Sequence, residues 1–166
     1  MNEGLLIARL VLGALMAAHG AQKLFGWFGG YGLTGTAGFF ESIGFHPGRL
    51  FATAAALGEV VSGLLIALGF LGPVGPALML AVMIVAASVH WPNGVFAQNN
   101  GYEVPLLYGT VAVALALIGP GRFSLDALLG LSSLSTPAVG VIALLVAIAG
   151  GFGNVAIRRT PHANPS

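Results

Sequence analysis

The chain has 166 residues, of which 57% are hydrophobic and only 7% are charged, and its formal net charge is +1. An ordinary soluble domain is about a quarter charged, so this composition excludes that class and indicates an integral membrane protein of a single domain. The small net charge gives no basic footprint for nucleic acid. The absence of cysteine excludes intrinsic thiol–disulfide chemistry and thiolate-held iron–sulfur clusters.

Five apolar stretches are each close to the roughly 17–25 residues that a bilayer requires. They cover residues 5–24, 50–71, 74–91, 104–118 and 137–157, and the fourth is the shortest. We therefore predict an all-α fold, a polytopic transmembrane helical bundle with a four-helix core plus a fifth apolar helix, since helices satisfy every backbone group in lipid.

The connections between these stretches have their own signals. The glycine-rich and aromatic residues 25–32 and the more helical residues 36–43 predict an interfacial connection, because aromatic side chains prefer the lipid–water interface. The glycine–proline turn at residues 69–73 predicts an antiparallel hairpin. We divide the chain into a four-helix core, residues 1–130, with its interfacial loop 25–49, an additional apolar helix, 131–157, and a disordered polar tail, 158–166.

The fifth apolar stretch carries small residues at a helical spacing. Ala143, Ala147 and Gly151 recur every four residues, and such a stripe permits close helix packing. It is compatible with a homo-oligomer or a partner subunit bound through residues 131–157, and equally with packing on the chain's own bundle.

The basic residues are distributed unevenly between the two ends of the predicted bundle. If all five stretches span, Lys23, Arg49, Arg158 and Arg159 fall on one side and Arg122 on the other. The positive-inside rule then favours an outside amino terminus and a cytoplasmic carboxyl terminus. This inference fails if the fifth stretch lies along the surface or re-enters.

Ionisable residues lie within or beside the apolar stretches, where charge is costly and each is a candidate functional residue. They are Arg9, His19, Lys23, Glu59, His90 and Glu103. Because consecutive helices run in opposite directions, all of these residues except Arg9 lie towards the same end of the predicted bundle. At 1.5 Å per residue, Arg9 lies about 18 Å from that end and Glu59 about 13 Å. We therefore expect a structural intramembrane pair, Arg9 with Glu59, at the floor of a polar funnel.

Less specific interpretations of the same residues stay open. Arg9 could snorkel towards its own end of the first helix, and Lys23 and Glu103 could be interfacial anchors. His19 and His90 could be hydrogen-bonded packing residues. A further interpretation makes the mid-helix carboxyl a neutral acid bonded to a neighbouring helix.

The polar loop at residues 119–126 lies at the other end of the bundle. Ser124 could cap a short helix beginning at Leu125, with Asp126 favourable near its amino terminus. Alternatively, Arg122 and Asp126 could pair across one helical turn. Either arrangement would position the end of the fourth apolar stretch or contact a partner.

Several motifs occur in a characteristic order: residues 19–32 (HGAQKLFGWFGGYG), Phe39-Phe40-Glu41, Gly58-Glu59, residues 90–94 (HWPNG), Gly101-Tyr102-Glu103 and residues 119–126 (GPGRFSLD). Together they resemble the DoxX family of small bacterial membrane proteins over about residues 5–130. The resemblance implies a four-helix core in the bacterial cytoplasmic membrane. It also implies a link to oxidoreduction, because the family is related to a small subunit of an archaeal thiosulfate–quinone oxidoreductase.

The sequence contains no nucleotide fingerprint, no obvious haem signature and no cysteine, so any redox role must borrow a cofactor. A quinone is the natural candidate, because an apolar tail fits between helices while polar side chains bind the carbonyls and relay protons. The catalytic candidates are Glu59, as proton carrier, His19 and His90. The candidate cofactor-binding residues are His19, Gln22, Lys23, Trp27, Phe28, His90 and Glu103.

Two histidines on the same side of the predicted bundle also suggest a metal site or a haem bound by both histidines. Their spacing does not require either site, and we predict no metal.

We rank three functions. An accessory subunit of a membrane oxidoreductase or respiratory-type complex comes first, a stand-alone quinone-linked oxidoreductase second and a small transporter or channel third. The expected partners are membrane lipids and larger membrane subunits or a second copy, with no nucleic acid. The sequence leaves open whether the chain is itself catalytic.

Overall fold

The computed structural model describes residues 2–159, and over this range 80% of the structure is helical with no strand. The α-helices are α1 (Asn2–Phe25), α2 (Gly32–Ser42), α3 (Gly48–Leu68), α4 (Val74–His90), α5 (Glu103–Ile118), α6 (Leu125–Leu129) and α7 (Pro137–Ala156). Among them α1, α3 and α7, together with α4 and the helical turn that extends it to Asn93, are long and apolar enough to cross a membrane, and α5 is a shorter apolar helix. The predicted transmembrane helical bundle is confirmed.

The five predicted apolar stretches correspond to α1, α3, α4, α5 and α7. The second ends earlier than predicted, because Gly69 adopts the left-handed conformation, with φ of 64°, and terminates α3 after Leu68. The short turn that follows makes α3 and α4 the expected hairpin. The predicted helical piece of the interfacial connection is α2, which begins at Gly32 rather than at residue 36.

Glycines bring α1 and α3 into close contact. A Cβ on Gly13 would clash with the carbonyl oxygen of Gly63, and a Cβ on Gly20 with that of Ala56. Small residues let two membrane helices approach backbone to backbone, where dispersion contacts replace the missing hydrophobic drive. This close approach places the carboxyl-terminal half of α1 directly alongside α3.

Helix α7 packs on its own bundle. Leu144 and Ala147 belong to the main apolar core, a Cβ on Gly151 would meet Ile84 of α4, and a Cβ on Gly140 would clash with the Ala116 carbonyl of α5. Ala147 and Gly151, two members of the small-residue stripe, therefore face inwards. The stripe packs on the chain's own bundle, which is one of the two alternatives that the sequence left open. A partner bound through α7 stays a prediction and would use its exposed face, which includes Ile142, Leu145 and Val146.

The two ends of the bundle are distinct. At one end, which we call the cavity end, α1, α4 and α7 finish and α3 and α5 begin. Since α7 starts against the last turn of α5 and finishes at the cavity end, it runs the whole length of the bundle. Within the bundle it does not lie across one end or re-enter, which is what the charge argument required of the fifth stretch.

The prediction of a disordered tail over residues 158–166 is wrong for its first two residues. Arg158 Nε donates to the Ile43 carbonyl at 2.6 Å, and the Arg159 amide donates to the Gly44 carbonyl at 2.9 Å. These hydrogen bonds fix the chain after α7 against the α2–α3 connection. The rest of the predicted tail, residues 160–166, lies outside the described residues.

Candidate functional site

An ion pair joins α1 to α3 inside the bundle. Lys23 Nζ, on the last turn of α1, donates to Glu59 Oε1 on α3. Glu59 is only 2% exposed, whereas the Lys23 side chain is 31% exposed. The second carboxylate oxygen, Glu59 Oε2, is buried and has no hydrogen-bond partner among residues 2–159. The carboxyl group thus combines a charged partner on one oxygen with an unused acceptor on the other.

The predicted pairing of Arg9 with Glu59 is wrong. The Arg9 guanidinium instead donates to the carbonyl oxygens of Pro120 and Phe123 at the opposite end of the bundle. Side chains on a helix tilt towards its amino terminus. Arg9 therefore extends away from the cavity end, as in the snorkelling alternative.

The same tilt brings Lys23 and Glu59 together. Lys23 extends from the mouth of the bundle inwards along α1. Since α3 begins at the cavity end, the side chain of Glu59 tilts towards that end and meets Lys23. The sequence argument compared only the axial depths of Arg9 and Glu59 and left out the directions in which their side chains extend.

A cavity of about 870 Å³ opens beside this ion pair. Its walls come from α1, α2, α3, α4, the end of α7 and the connections after α1 and α2, and are mainly apolar. The aromatic part of the wall is formed by Tyr31, Phe39, Phe40, Phe45 and Phe51. The other polar side chains of the lining are Gln22, Lys23, Thr36, His90 and Asn154. This size and this ratio of apolar to polar lining are typical of pockets for small organic ligands.

Three of the predicted cofactor-binding residues, Gln22, Lys23 and His90, line the cavity. His90 Nδ1 lies 2.8 Å from the Asn100 carbonyl oxygen. Because a carbonyl can only accept, Nδ1 carries the proton there, which leaves Nε2 as the nitrogen that can exchange one. Gln22 Nε2 donates to the Phe28 carbonyl at 3.2 Å and thereby fixes the glycine-rich loop after α1.

The remaining predicted binding residues lie outside the cavity lining. Trp27 and Phe28 are 58% and 71% exposed, so they form an exposed aromatic tip and do not reach the cavity in which a cofactor would bind. Glu103 Oε2 accepts a hydrogen bond from the Ala97 amide at 2.9 Å and orders the loop before α5. His19 Nδ1 lies 3.3 Å from Gln22 Oε1, at the edge of the site.

Sequence reasoning missed Tyr108 and most of the aromatic wall. Tyr108 on α5 packs edge-on against His19, with ring centroids 6.0 Å apart, and lies within electrostatic range of Glu59. Phe51 lines the cavity from α3, and Phe45 lines it because the α2–α3 connection folds back against Phe51. The sequence offered no signal for this fold-back beyond the aromatic step at Phe39 and Phe40.

A second polar cluster holds the opposite end of the bundle together. Asp126 accepts hydrogen bonds from the Leu71 amide at 2.9 Å and the Gly72 amide at 2.6 Å. Ser124 Oγ accepts from the Ala127 amide at 3.1 Å, so Ser124 caps α6 as predicted. Asp126 thus stabilises the α3–α4 turn instead of pairing with Arg122. All these partners are backbone groups, which is typical of a structural role.

Residues 2–159 contain no group of three or more His, Asp or Glu side chains that could hold a metal ion. Neither a curated protein nor a solved structure matches the chain. The DoxX family model matches residues 4–91. The matched region is more than half of the 166 residues and ends before α5 and α7. The resemblance inferred from the sequence motifs was longer and extended to about residue 130. The matched region contains Lys23, Glu59 and His90, and the chain is therefore a member of the DoxX family.

Proposed function

We propose that this multi-pass membrane protein is an accessory subunit of a membrane oxidoreductase or respiratory-type complex in the bacterial cytoplasmic membrane, and that its cavity binds the headgroup of a quinone. The observation that carries the proposal is the position of Lys23. Lys23 lines an aromatic cavity, and its ammonium group is at the same time paired with a buried carboxylate.

The lining suits a quinone headgroup. The aromatic side chains of α2 and α3 provide faces for stacking, and stacked or edge-on rings are worth about 0.5–1.5 kcal/mol beyond the buried area. Lys23 and Gln22 provide donors for the two carbonyl oxygens, and His90 provides a nitrogen that can exchange a proton. A bound quinone would supply two-electron chemistry that none of these side chains has.

The chain's own residues supply binding and proton transfer. An ammonium group has three N–H donors, so Lys23 can bind an acceptor in the cavity while it donates to Glu59. The unused Oε2 of Glu59 can take up a proton within the bundle. In this arrangement Lys23 stands between the cavity and a buried proton acceptor, which is the geometry required of a general acid–base pair.

The accessory role follows from what the cavity residues can and cannot do. They can hold a quinone and move protons, but electrons must come from a carrier that the sequence does not contain. We place that carrier on a larger subunit. The relation of the DoxX family to a small subunit of a thiosulfate–quinone oxidoreductase supports this assignment.

The test combines purification with a binding measurement. Mild-detergent purification followed by mass spectrometry of associated lipids and proteins should recover a quinone and a larger redox subunit. In lipid nanodiscs, Lys23→Gln should weaken decylubiquinone binding about tenfold, as expected for one charge-assisted hydrogen bond. Arg49→Gln is the matched control, because Arg49 is exposed at the same end and lies outside the cavity lining.

Two results would contradict the proposal. Equal affinities of the Lys23→Gln and Arg49→Gln variants for decylubiquinone would remove the cavity as the quinone site. Recovery of a quinone without any larger subunit would favour the stand-alone quinone-linked oxidoreductase over the accessory subunit.

A further inference from the structure

The carboxyl-terminal end of α7 contacts the wall of the cavity. Asn154, in its last turns, lines the cavity directly. Just beyond the helix, the side chain of Arg158 lies against the α2–α3 connection, two residues of which, Ile43 and Phe45, are also cavity-lining. These contacts come from a helix outside the region that the family model matches.

One guanidinium group joins several parts of this wall. Arg158 Nε donates to the Ile43 carbonyl at 2.6 Å, and Nη1 reaches the Ser88 carbonyl on α4 at 3.5 Å. The same group lies 5.9 Å from the ring centroid of Phe45, within cation–π range. The planar fork of arginine holds its donors at fixed positions for two carbonyls while its flat face lies over an aromatic ring, a geometry that the compact ammonium of a lysine does not reproduce in full.

The aromatic wall is held from the other side by packing. Phe45 is only 1% exposed, and its ring centroid lies 5.6 Å from that of Phe40 and 5.2 Å from that of Phe51. Arg158 covers this aromatic cluster on the side of α7. Val85 and Val89 of α4 also pack against the cluster. Removing the guanidinium would therefore leave only this apolar packing between the cluster and α4, without the hydrogen bonds through which Arg158 joins the α2–α3 connection to α4.

The neighbouring Arg159 makes a different contact. Its backbone amide donates to the Gly44 carbonyl at 2.9 Å, while its side chain is exposed. Gly44 has a φ of 94°, and a Cβ there would clash with the Arg159 carbonyl oxygen. The backbone approach needs glycine at position 44 but does not need the arginine side chain at position 159.

We propose that Arg158 is a positioning residue of the cavity. Its side chain clamps the α2–α3 connection to α4 and holds the aromatic wall closed, so that the end of α7 is a functional part of the site. Without the clamp, the connection would open locally more often, and small molecules would enter and leave the cavity faster. The effect on a bound quinone rests on the proposed function, whereas the closing of the wall does not.

The natural absence of cysteine allows a direct test. Ala55→Cys places a single thiol on a half-buried position of the cavity lining. The full chain in lipid nanodiscs is labelled with a small maleimide, and the rate is compared between the Arg158→Ala and Arg159→Ala backgrounds. Both variants lose one positive charge at the same place in the chain, but only the first loses the clamp.

We expect labelling to be several-fold faster in Arg158→Ala and unchanged in Arg159→Ala, with an intermediate rate in Arg158→Lys. A thiol at the exposed Ser133, at the opposite end, should react equally in all backgrounds and controls for general loosening. If Arg158→Ala does not fold, Gly44→Ala displaces the same segment by another route and should also accelerate labelling. Equal rates in Arg158→Ala and Arg159→Ala would overturn the clamp.

A second measurement separates this inference from the proposed function. The dissociation rate of decylubiquinone should rise in Arg158→Ala and stay unchanged in Arg159→Ala. Faster labelling without any quinone binding would retain the clamp and reject the quinone site. Quinone binding with an unchanged labelling rate would reject the clamp and retain the site.

Discussion

At the scale of single residues, the direction of a side chain decides which charges meet. Lys23 and Glu59 converge because one tilts inwards along α1 and the other tilts outwards along α3. Arg9 tilts the other way and bonds backbone carbonyls. A charge deep in a bundle is tolerated where such partners exist, and the carboxylate of Glu59 has a partner on only one of its oxygens. Glu59 is the site residue of greatest interest because one oxygen of its carboxylate is still able to accept a hydrogen bond or a proton.

The coupling between Lys23 and Glu59 is measurable as a difference in stability. Removing one partner of a fully buried ion pair costs about 3–5 kcal/mol. Because Lys23 is about one-third exposed, we expect Lys23→Met to lower the free energy of unfolding in detergent by about 2 kcal/mol. The double variant Lys23→Met/Glu59→Gln should recover most of this loss, since it removes the unpaired charge. Additive losses in the double-mutant cycle would show that the two side chains are not coupled.

At the scale of helices, glycine determines how closely α1 and α3 approach, and therefore whether Lys23 can reach Glu59. Gly13 and Gly20 lie against backbone carbonyls of α3, where even one methyl group has no room. The main core on the other side of the bundle contains larger side chains, including Met79, Met83 and Leu144. The α1–α3 contact therefore has little tolerance for added volume.

Two helical glycines offer a matched comparison of this tolerance. Gly13→Ala places its Cβ against the Gly63 carbonyl oxygen and should lower the free energy of unfolding by about 1–3 kcal/mol through overpacking. Gly150→Ala, in α7, meets nothing within 4 Å and should be neutral or stabilising by up to about 1 kcal/mol, because alanine favours a helix. The comparison is made by thermal unfolding in one detergent. An equal response of the two variants would contradict the close packing of α1 on α3.

At the scale of the whole molecule, the bundle follows from the sequence and the cavity does not. Long apolar runs with short connections leave few alternatives in lipid, so the spanning helices α1, α3, α4 and α7 could be predicted. The cavity wall depends on how α2 and the residues after it fold back, which is decided by contacts such as that of Phe45 with Phe51. Such contacts join segments that have no periodic pattern of their own. Tyr108 was missed because its contact with His19 depends on how α5 packs against α1, which neither helix shows by itself.

The structure also sharpens the argument on membrane orientation. Lys23, Arg49, Arg158 and Arg159 lie at the cavity end, whereas Arg122 and the guanidinium of Arg9 lie at the opposite end. Arg9 is buried and bonded to carbonyl oxygens, so it adds little to the charge that the membrane interface senses. The excess of basic residues therefore still favours a cytoplasmic cavity end, which stays a prediction. A ligand in the cavity would then exchange protons with the cytoplasmic side.

Single cysteines in the naturally cysteine-free chain can test this orientation in whole cells. Ser133→Cys is exposed at the opposite end, and Asn99→Cys is exposed at the cavity end. A membrane-impermeant maleimide added outside should label the first thiol in intact cells and the second only after the membrane is opened. Labelling of Asn99→Cys alone in intact cells would reverse the orientation and place the mouth of the cavity outside. In that case the proton transfer proposed for Lys23 and Glu59 would take place with the outer side of the membrane, and the proposed electron-carrying partner would have to be sought there as well.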